Sequence, residues 1–279
     1  MFETYPTSKI LQPYIAFYYT IKCQKSDYVD KISEFCLPSG FGVMGFHFCG
    51  SFYIFQKNEK QELSRFYTVG QQTHHYYFNS DSDRVDLYGV TFKPTGLWHL
   101  FGLDMPSSND KAGVANTLFK GGLACFTKEF ESRQSPESRI RVIERILLKK
   151  CLSVRPSLNF IDYAVQLMNE TYGCSSITNI LKKINVSERY FQKKFKVMVG
   201  ISPCAYNRIV RFNFMFAEVK SDTPNNFISL AALFNYYDFP HFSNDFKKHC
   251  GVCPSKFHID RFNFLQELMA SHALLEKHK

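Results

Sequence analysis

Arg189, Gln192, Lys193 and Lys196 stand at i, i+3, i+4 and i+7, the spacing that gathers four side chains along one stripe of an α-helix. Their shared chemistry is hydrogen-bond donation from long side chains to phosphate oxygens and to base edges in a DNA major groove. The same stretch carries the apolar side such a helix needs. Phe191 and Phe195 are four apart and so lie together, and Gly200 offers a stop. Residues 187–197 hold four basic side chains against one acid, Glu188. A charged helix face alone is what any solvated helix shows, so the reading turns on what positions it.

The positioning unit occurs twice, 51 residues apart. Phe195-Lys196-x3-Gly200-x2-Pro203-x2-Tyr206 returns as Phe246-Lys247-x3-Gly251-x2-Pro254-x2-Phe257. Upstream the register sets Ile177 over Ile228, Ile180 over Ala231, Ser187 over Asp238 and Phe191 over Phe242. Ungapped self-similarity means one supersecondary unit built twice. In the first copy Ile177, Ile180, Leu181 and Ile184 predict a short helix over 176–184. Asn185 suits a left-handed turn residue, Ser187 an N-cap, and Ser202-Pro203 the start of a further helix. Two short helices about a tight turn make a helix-turn-helix. In the second copy Ile228–Phe234 is the first helix, Asn235 the turn and Asp238 the cap, with Pro240 in the first turn where a missing N–H costs little. Residues 203–220 predict one helix between the units, roughly 27 Å long at 1.5 Å per residue. A rod of that scale suits recognition helices about one DNA turn, ~34 Å, apart.

These residues resemble the AraC/XylS family of bacterial transcription regulators. The most specific stretch is Ile228-Ser229-Leu230-Ala231 through Tyr236-Tyr237-Asp238-x2-His241-Phe242-x3-Phe246-Lys247-Lys248-x2-Gly251-Val252-x-Pro254-x2-Phe257, and the resemblance covers roughly residues 157–260. It implies a sequence-specific regulator, often an activator, with helices over about 187–197 and 238–249 entering the major groove. By motif position Arg189, Gln192 and Lys193 read bases in the first unit, and Ser243, Asn244 and Lys247 are their counterparts. Asn235 replaces the usual glycine. Asn244 replaces a common arginine and is followed by Asp245, so the second unit is expected to be less basic and the first to carry more of the discrimination.

The net charge of +9 is shared. Residues 157–279 carry 15 Lys+Arg against 10 Asp+Glu and residues 1–156 carry 19 against 15, so the nucleic-acid reading rests on where charges sit. The chain is long enough for two domains. Residues 13–22, 41–48, 52–56, 66–70, 74–78 and 85–92 are short aromatic or β-branched runs punctuated by turn formers, as strands are. Pro94 opens a helical patch through Phe101, and a longer helix spans 136–150, basic on one side through Arg141, Arg145, Lys149 and Lys150. The fold class is therefore α+β: a β-rich domain over 1–150, a linker over 151–156, and an all-α domain over 157–279 with both helix-turn-helix units. Leu37-Pro38-Ser39-Gly40, Thr68-Val69-Gly70 and Gly89-Val90-Thr91-Phe92-Lys93-Pro94 resemble the N-terminal domain of one branch of these regulators. That resemblance implies sensing of a small molecule, dimerisation, or both.

Nine cysteines without a secretory leader are expected to be reduced. Cys250-x2-Cys253 spans a helix-end glycine and has no second half of a zinc set. His74 and His75 point to opposite faces if they lie on a strand, with only His47 as a further candidate. No metal or cofactor is expected. Phosphate-loop and dinucleotide glycine patterns are absent. The rival class, an enzyme with a helical accessory domain such as a DNA-repair methyltransferase, lacks a prepared cysteine. The expectation is a cytoplasmic, non-enzymatic regulator without a membrane span. Its partners would be double-stranded DNA, RNA polymerase, a small-molecule effector and a second copy of itself.

Overall fold

Alternation along the aromatic runs sends successive side chains into two separate cores, and the strands follow from that. A computed structural model describes residues 2–115, 122–218 and 227–257. Its strands are β1 (Phe2–Tyr5), β2 (Ile15–Gln24), β3 (Ile32–Cys36), β4 (Gly42–Cys49), β5 (Tyr53–Gln56), β6 (Glu59–Glu62), β7 (Phe66–Val69), β8 (Tyr76–Ser80), β9 (Arg84–Phe92) and β10 (Ala112–Val114). They pair antiparallel in two sheets, β1-β2-β9-β4-β7-β10 and β3-β8-β5-β6. On β2, Phe17, Tyr19 and Ile21 face the small sheet and meet Ile32, Phe52, Ile54 and Phe78. Tyr18, Met44, Phe46, Tyr88 and Val90 line the other face of the large sheet. Gly45 and Gly89 are register partners. A Cβ on Gly89 would lie 2.0 Å from the Tyr19 ring, and one on Gly45 would lie 2.2 Å from the Tyr67 ring. These two glycines let the rings lie flat across the sheet.

The outer face is covered by α1 (Gly96–Phe101), α2 (Leu123–Ser132) and α3 (Pro136–Val154). Phe126, Phe130, Ile140, Ile143 and Leu147 pack onto it. Helix α3 starts at the Ser135 cap and runs to Val154, ending with Arg155 in the left-handed region. Residues 151–154, read from sequence as linker, are therefore its last turn. The connection shortens to 155–159, because Cys151 is buried in the same core as Leu147 and keeps the helix going.

The helical part comprises α4 (Phe160–Glu170), α5 (Ile177–Ile184), α6 (Glu188–Val199), α7 (Pro203–Ala217), α8 (Phe227–Leu233) and α9 (Phe239–Cys250). Ile161, Ala164, Met168, Ile180, Phe191, Phe195, Tyr206 and Ile209 form one core. Phe212, Phe216, Phe227, Phe234, Phe242 and Phe246 form another, which also takes Phe35 and Leu37 from the β-domain. The helix expected over 203–220 ends at Ala217; residues 219–220 lie outside the described residues.

The β-domain grips this helical part at several points. Asn109 Nδ2 donates to the Gly200 carbonyl at 2.7 Å, and Asn213 Nδ2 to the Ser39 carbonyl at 3.2 Å. Thr95 Oγ1 donates to Asp162 Oδ1 at 2.6 Å, and His99 Nε2 lies 3.0 Å from the same carboxylate. Asp162 also accepts from the Asn159 N–H at 2.8 Å within the capping box of α4. Burial alone would raise the Asp162 carboxyl, but the hydrogen bonds to His99, Thr95 and the Asn159 N–H hold it below the usual range. Its contribution to stability is thus present at neutral pH and is lost as pH falls through that lowered value. Asp162→Ala is expected to cost about 1–3 kcal/mol in urea unfolding at neutral pH, through the lost cap and two orphaned partners. An unchanged midpoint would show that this junction carries no load.

Candidate nucleic-acid interface

Helices α6 and α9 each owe their position to a preceding turn residue that can adopt positive φ. Asn185 closes α5 at φ 51 and ψ 49, and Asn235 occupies the same place after α8 at φ 56. Asparagine enters this region at less cost than residues without a short polar side chain. Asn185→Val should therefore cost about 1–2 kcal/mol of stability and Asn185→Gly little or nothing, as measured by thermal unfolding. Ser187 takes the N-cap position of α6 with no side-chain cap bond. Asp238 does cap α9, accepting from the His241 N–H at 2.7 Å. Gly200 and Gly251 end the two helices at φ 102 and φ 80.

Helix α6 buries Phe191, Phe195, Met198 and Val199. Arg189, Gln192, Lys193 and Lys196 are all exposed, on the side the spacing assigns them. Gln192 is not idle, since its Nε2 donates to Glu188 Oε1 at 2.9 Å. Glu188 thus engages one of the outward-facing donors. Lys194, also exposed, leans toward the Tyr190 ring at 5.9 Å.

Helix α9 buries Phe242, Phe246, His249 and Cys250, and with them Asp245. Asn244 and Lys247 are exposed, and Ser243 is half-buried. The Asp245 carboxylate, expected to make this unit less basic, is only 7% exposed and faces inward, 3.5 Å from Arg211 Nη2. The outer face of α9 therefore carries no acid, and its difference from α6 lies in fewer cations. Upstream, Phe227, which register sets over the exposed Ser176 cap, is buried, and Ile228 stands exposed. Sequence reasoning missed Arg211 and Tyr236 as partners of Asp245. The available signal was an acid standing over Lys194 in the repeat.

The other candidates do not gather. Cys250 is buried and its thiol is pushed well above the usual range by that burial, while Cys253 begins the short turn Pro254–Lys256. His74 Nδ1 lies 2.7 Å from Thr73 Oγ1. His75 sits against the Gly251 backbone, where an added Cβ would be 2.6 Å from the ring. Among the described residues no three His, Cys, Asp or Glu side chains converge as metal ligands, and no helix is long and apolar enough to cross a membrane.

Residues 180–258 match the family model of a helix-turn-helix domain. They are an AraC-type helix-turn-helix domain. Residues 3–113, ahead of this AraC-type domain, match a family described as a domain of unknown function (DUF6597). No curated protein matches the chain. Among solved structures it is similar to ToxT from Vibrio cholerae, with 12% identity, 91% of this chain and 97% of that one covered, and a TM-score of 0.45. Wild-type ToxT with bound unsaturated fatty acid gives 13% identity, 85% and 92% coverage, and a TM-score of 0.41. The AraC-like transcriptional activator CuxR gives 12%, 72% and 74%, and 0.25. The AraC-type match lies wholly within the helical part, beginning inside α5 and running just past the short turn Pro254–Lys256.

Proposed function

We propose that this protein is a sequence-specific transcription activator whose helices α6 and α9 enter successive major grooves on one face of a duplex. The observation that supports this reading most is one arrangement present twice: each helix buries a Phe-x3-Phe pair and turns long donors outward from an asparagine-closed turn. Arg189, Gln192 and Lys193 in the first unit, and Ser243, Asn244 and Lys247 in the second, are the side chains assigned to bases, with Lys196 placed to meet phosphate. Helix α7, 15 residues and roughly 22 Å at 1.5 Å per residue, joins the two units and is shorter than the rod expected from sequence. The protein acts in the cytoplasm and engages RNA polymerase at the promoters it activates.

The β-domain senses a small molecule, dimerises, or does both. Its contacts reach both helix-turn-helix units, through Asn109 to Gly200 and through Phe35 and His75 to the region around α9. A ligand switches the protein only by favouring one packing of these contacts over another. Selection of binding sites from a random duplex library, followed by genome-wide footprinting, tests the DNA reading. A salt titration of the selected site should give a linear log–log loss of affinity. The reading fails if no sequence is enriched. Thermal-shift screening against metabolites, with DNA binding followed in parallel, separates a sensor from a pure dimerisation domain.

A further inference from the structure

Asp245 is a buried acid in a helix whose duplicate carries an exposed base, Lys194, at the same register position. A carboxylate is not held inside a protein core without a partner that compensates its charge. Its partner is Arg211 on α7, whose Nη2 lies 3.5 Å from Asp245 Oδ2 with both side chains largely buried. The same guanidinium lies over the Tyr236 ring, with Cζ 4.2 Å from the centroid. Tyr236 belongs to the turn between α8 and α9 and is itself 6% exposed. One planar cation therefore touches the linker helix, the turn and the recognition helix together.

Its backbone joins the first unit as well. A Cβ on Gly173, in the loop after α4, would lie 2.5 Å from the Arg211 N and 2.3 Å from the Asn207 carbonyl oxygen. Asn207 Nδ2 donates to the Ser175 carbonyl at 2.8 Å. Cys174 Sγ, in the same loop, lies 3.8 Å from the Phe234 carbonyl oxygen of the second unit. The loop of the first unit and the turn of the second thus meet at one point on α7. Apolar packing holds helices together but permits them to slide; a buried ion pair seated on a ring, close at 3.5 Å though not hydrogen-bonded through Asp245 Oδ2, favours one rotation of α9 about α7. Buried polar contacts have their best-attested use in this kind of registry.

We propose that the Arg211–Asp245 pair, seated on Tyr236, is a positioning element that fixes α9 relative to α7 and thereby sets which half-site spacing the protein accepts. The proposal rests on the reading of α6 and α9 as paired DNA-recognition helices. The test uses the full chain and a duplex selected from a random library by the wild-type protein, together with versions carrying one base pair more or fewer between the half-sites. Two variants are compared: Asp245→Asn, and Arg211→Met combined with Asp245→Leu, which fills the site without charge and guards against simple unfolding. The expected result is that wild type loses at least about tenfold in affinity on the altered spacings. Both variants should bind the selected duplex more weakly and discriminate spacing less than about threefold, while affinity for the first half-site alone stays within about twofold. Loss of stability alone would not change a ratio between duplexes. Retention of the wild-type spacing ratio in the folded double variant overturns the proposal. Failure of the wild type to enrich any sequence overturns the DNA-binding reading and the proposal with it, so the two failures are distinguishable.

Discussion

Replacing Arg189 and Lys193 together by alanine will lower affinity for the selected operator roughly 100-fold, since each base-reading contact contributes about 1–3 kcal/mol. It will also narrow the gap between operator and unrelated DNA. Both side chains are exposed on α6, and neither is part of the ion pairs that hold the described fold. The melting temperature should therefore move little. Lys196→Ala should behave differently, weakening all sequences about equally and reducing the slope of the salt titration by about one. Asn244→Ala in α9 should cost less than either base-reading change in α6, because the second helix presents fewer cations. Fluorescence anisotropy over a salt series reads all three. Intact affinity and selectivity in the double variant would remove α6 from the interface.

Much of the geometry of the two helix-turn-helix units was legible because its signals are local. The Phe-x3-Phe pairs fix which side of α6 and α9 is buried, and the outward positions follow at fixed offsets. The turn asparagines and the Ser202-Pro203 start announce backbone conformations that few other residues adopt. Strands β2, β4, β5, β7, β8 and β9 overlap the aromatic runs, since alternation between two cores shows in the sequence. Strand β3 was not legible. Glu34 interrupts its apolar pattern yet is buried, accepting a hydrogen bond from the Tyr28 hydroxyl at 2.5 Å. Phe35 next to it faces the second helical core rather than the sandwich. A strand covered on both faces by different domains has no period-2 signature. Strand β6, Glu59–Glu62, is a polar edge and carries no apolar signal at all. The inward turn of Asp245 was hidden for a related reason, because its partner Arg211 lies 34 positions away and only the folded chain joins them.

Acidification supplies the second large effect, and it follows from two buried histidines. His249, 3% exposed, packs against Phe212 with ring centroids 4.5 Å apart and the rings tilted by 33°, and neither of its ring nitrogens has a hydrogen-bond partner. Burial is the main cause that brings its pKa down to about 4. Asp245 on its own helix pulls the other way, while Lys248, Arg208 on α7 and His74 from the β-domain add to the depression. His75, close by on Gly251, is likewise lowered by burial first and by His74 second. In the β-domain, burial also takes His47 to about 4, against a weaker opposing influence of the Ser64 backbone. His47 Nε2 accepts the Phe52 N–H at 3.1 Å, which an unprotonated nitrogen alone can do. The unfolded chain binds these protons near pH 6.5, and the folded chain refuses them until about pH 4. Stability is therefore complete above the unfolded value and falls across that window, by about 3 kcal/mol for each of the two residues. Set against a typical total of about 5–15 kcal/mol, that loss should bring the protein close to unfolding near pH 4. His249→Leu removes one titrating group from an apolar site, so its melting temperature should fall about half as steeply over the same range. A His249→Leu variant that follows the wild-type curve would show that the ring is protonated or solvated in the native protein.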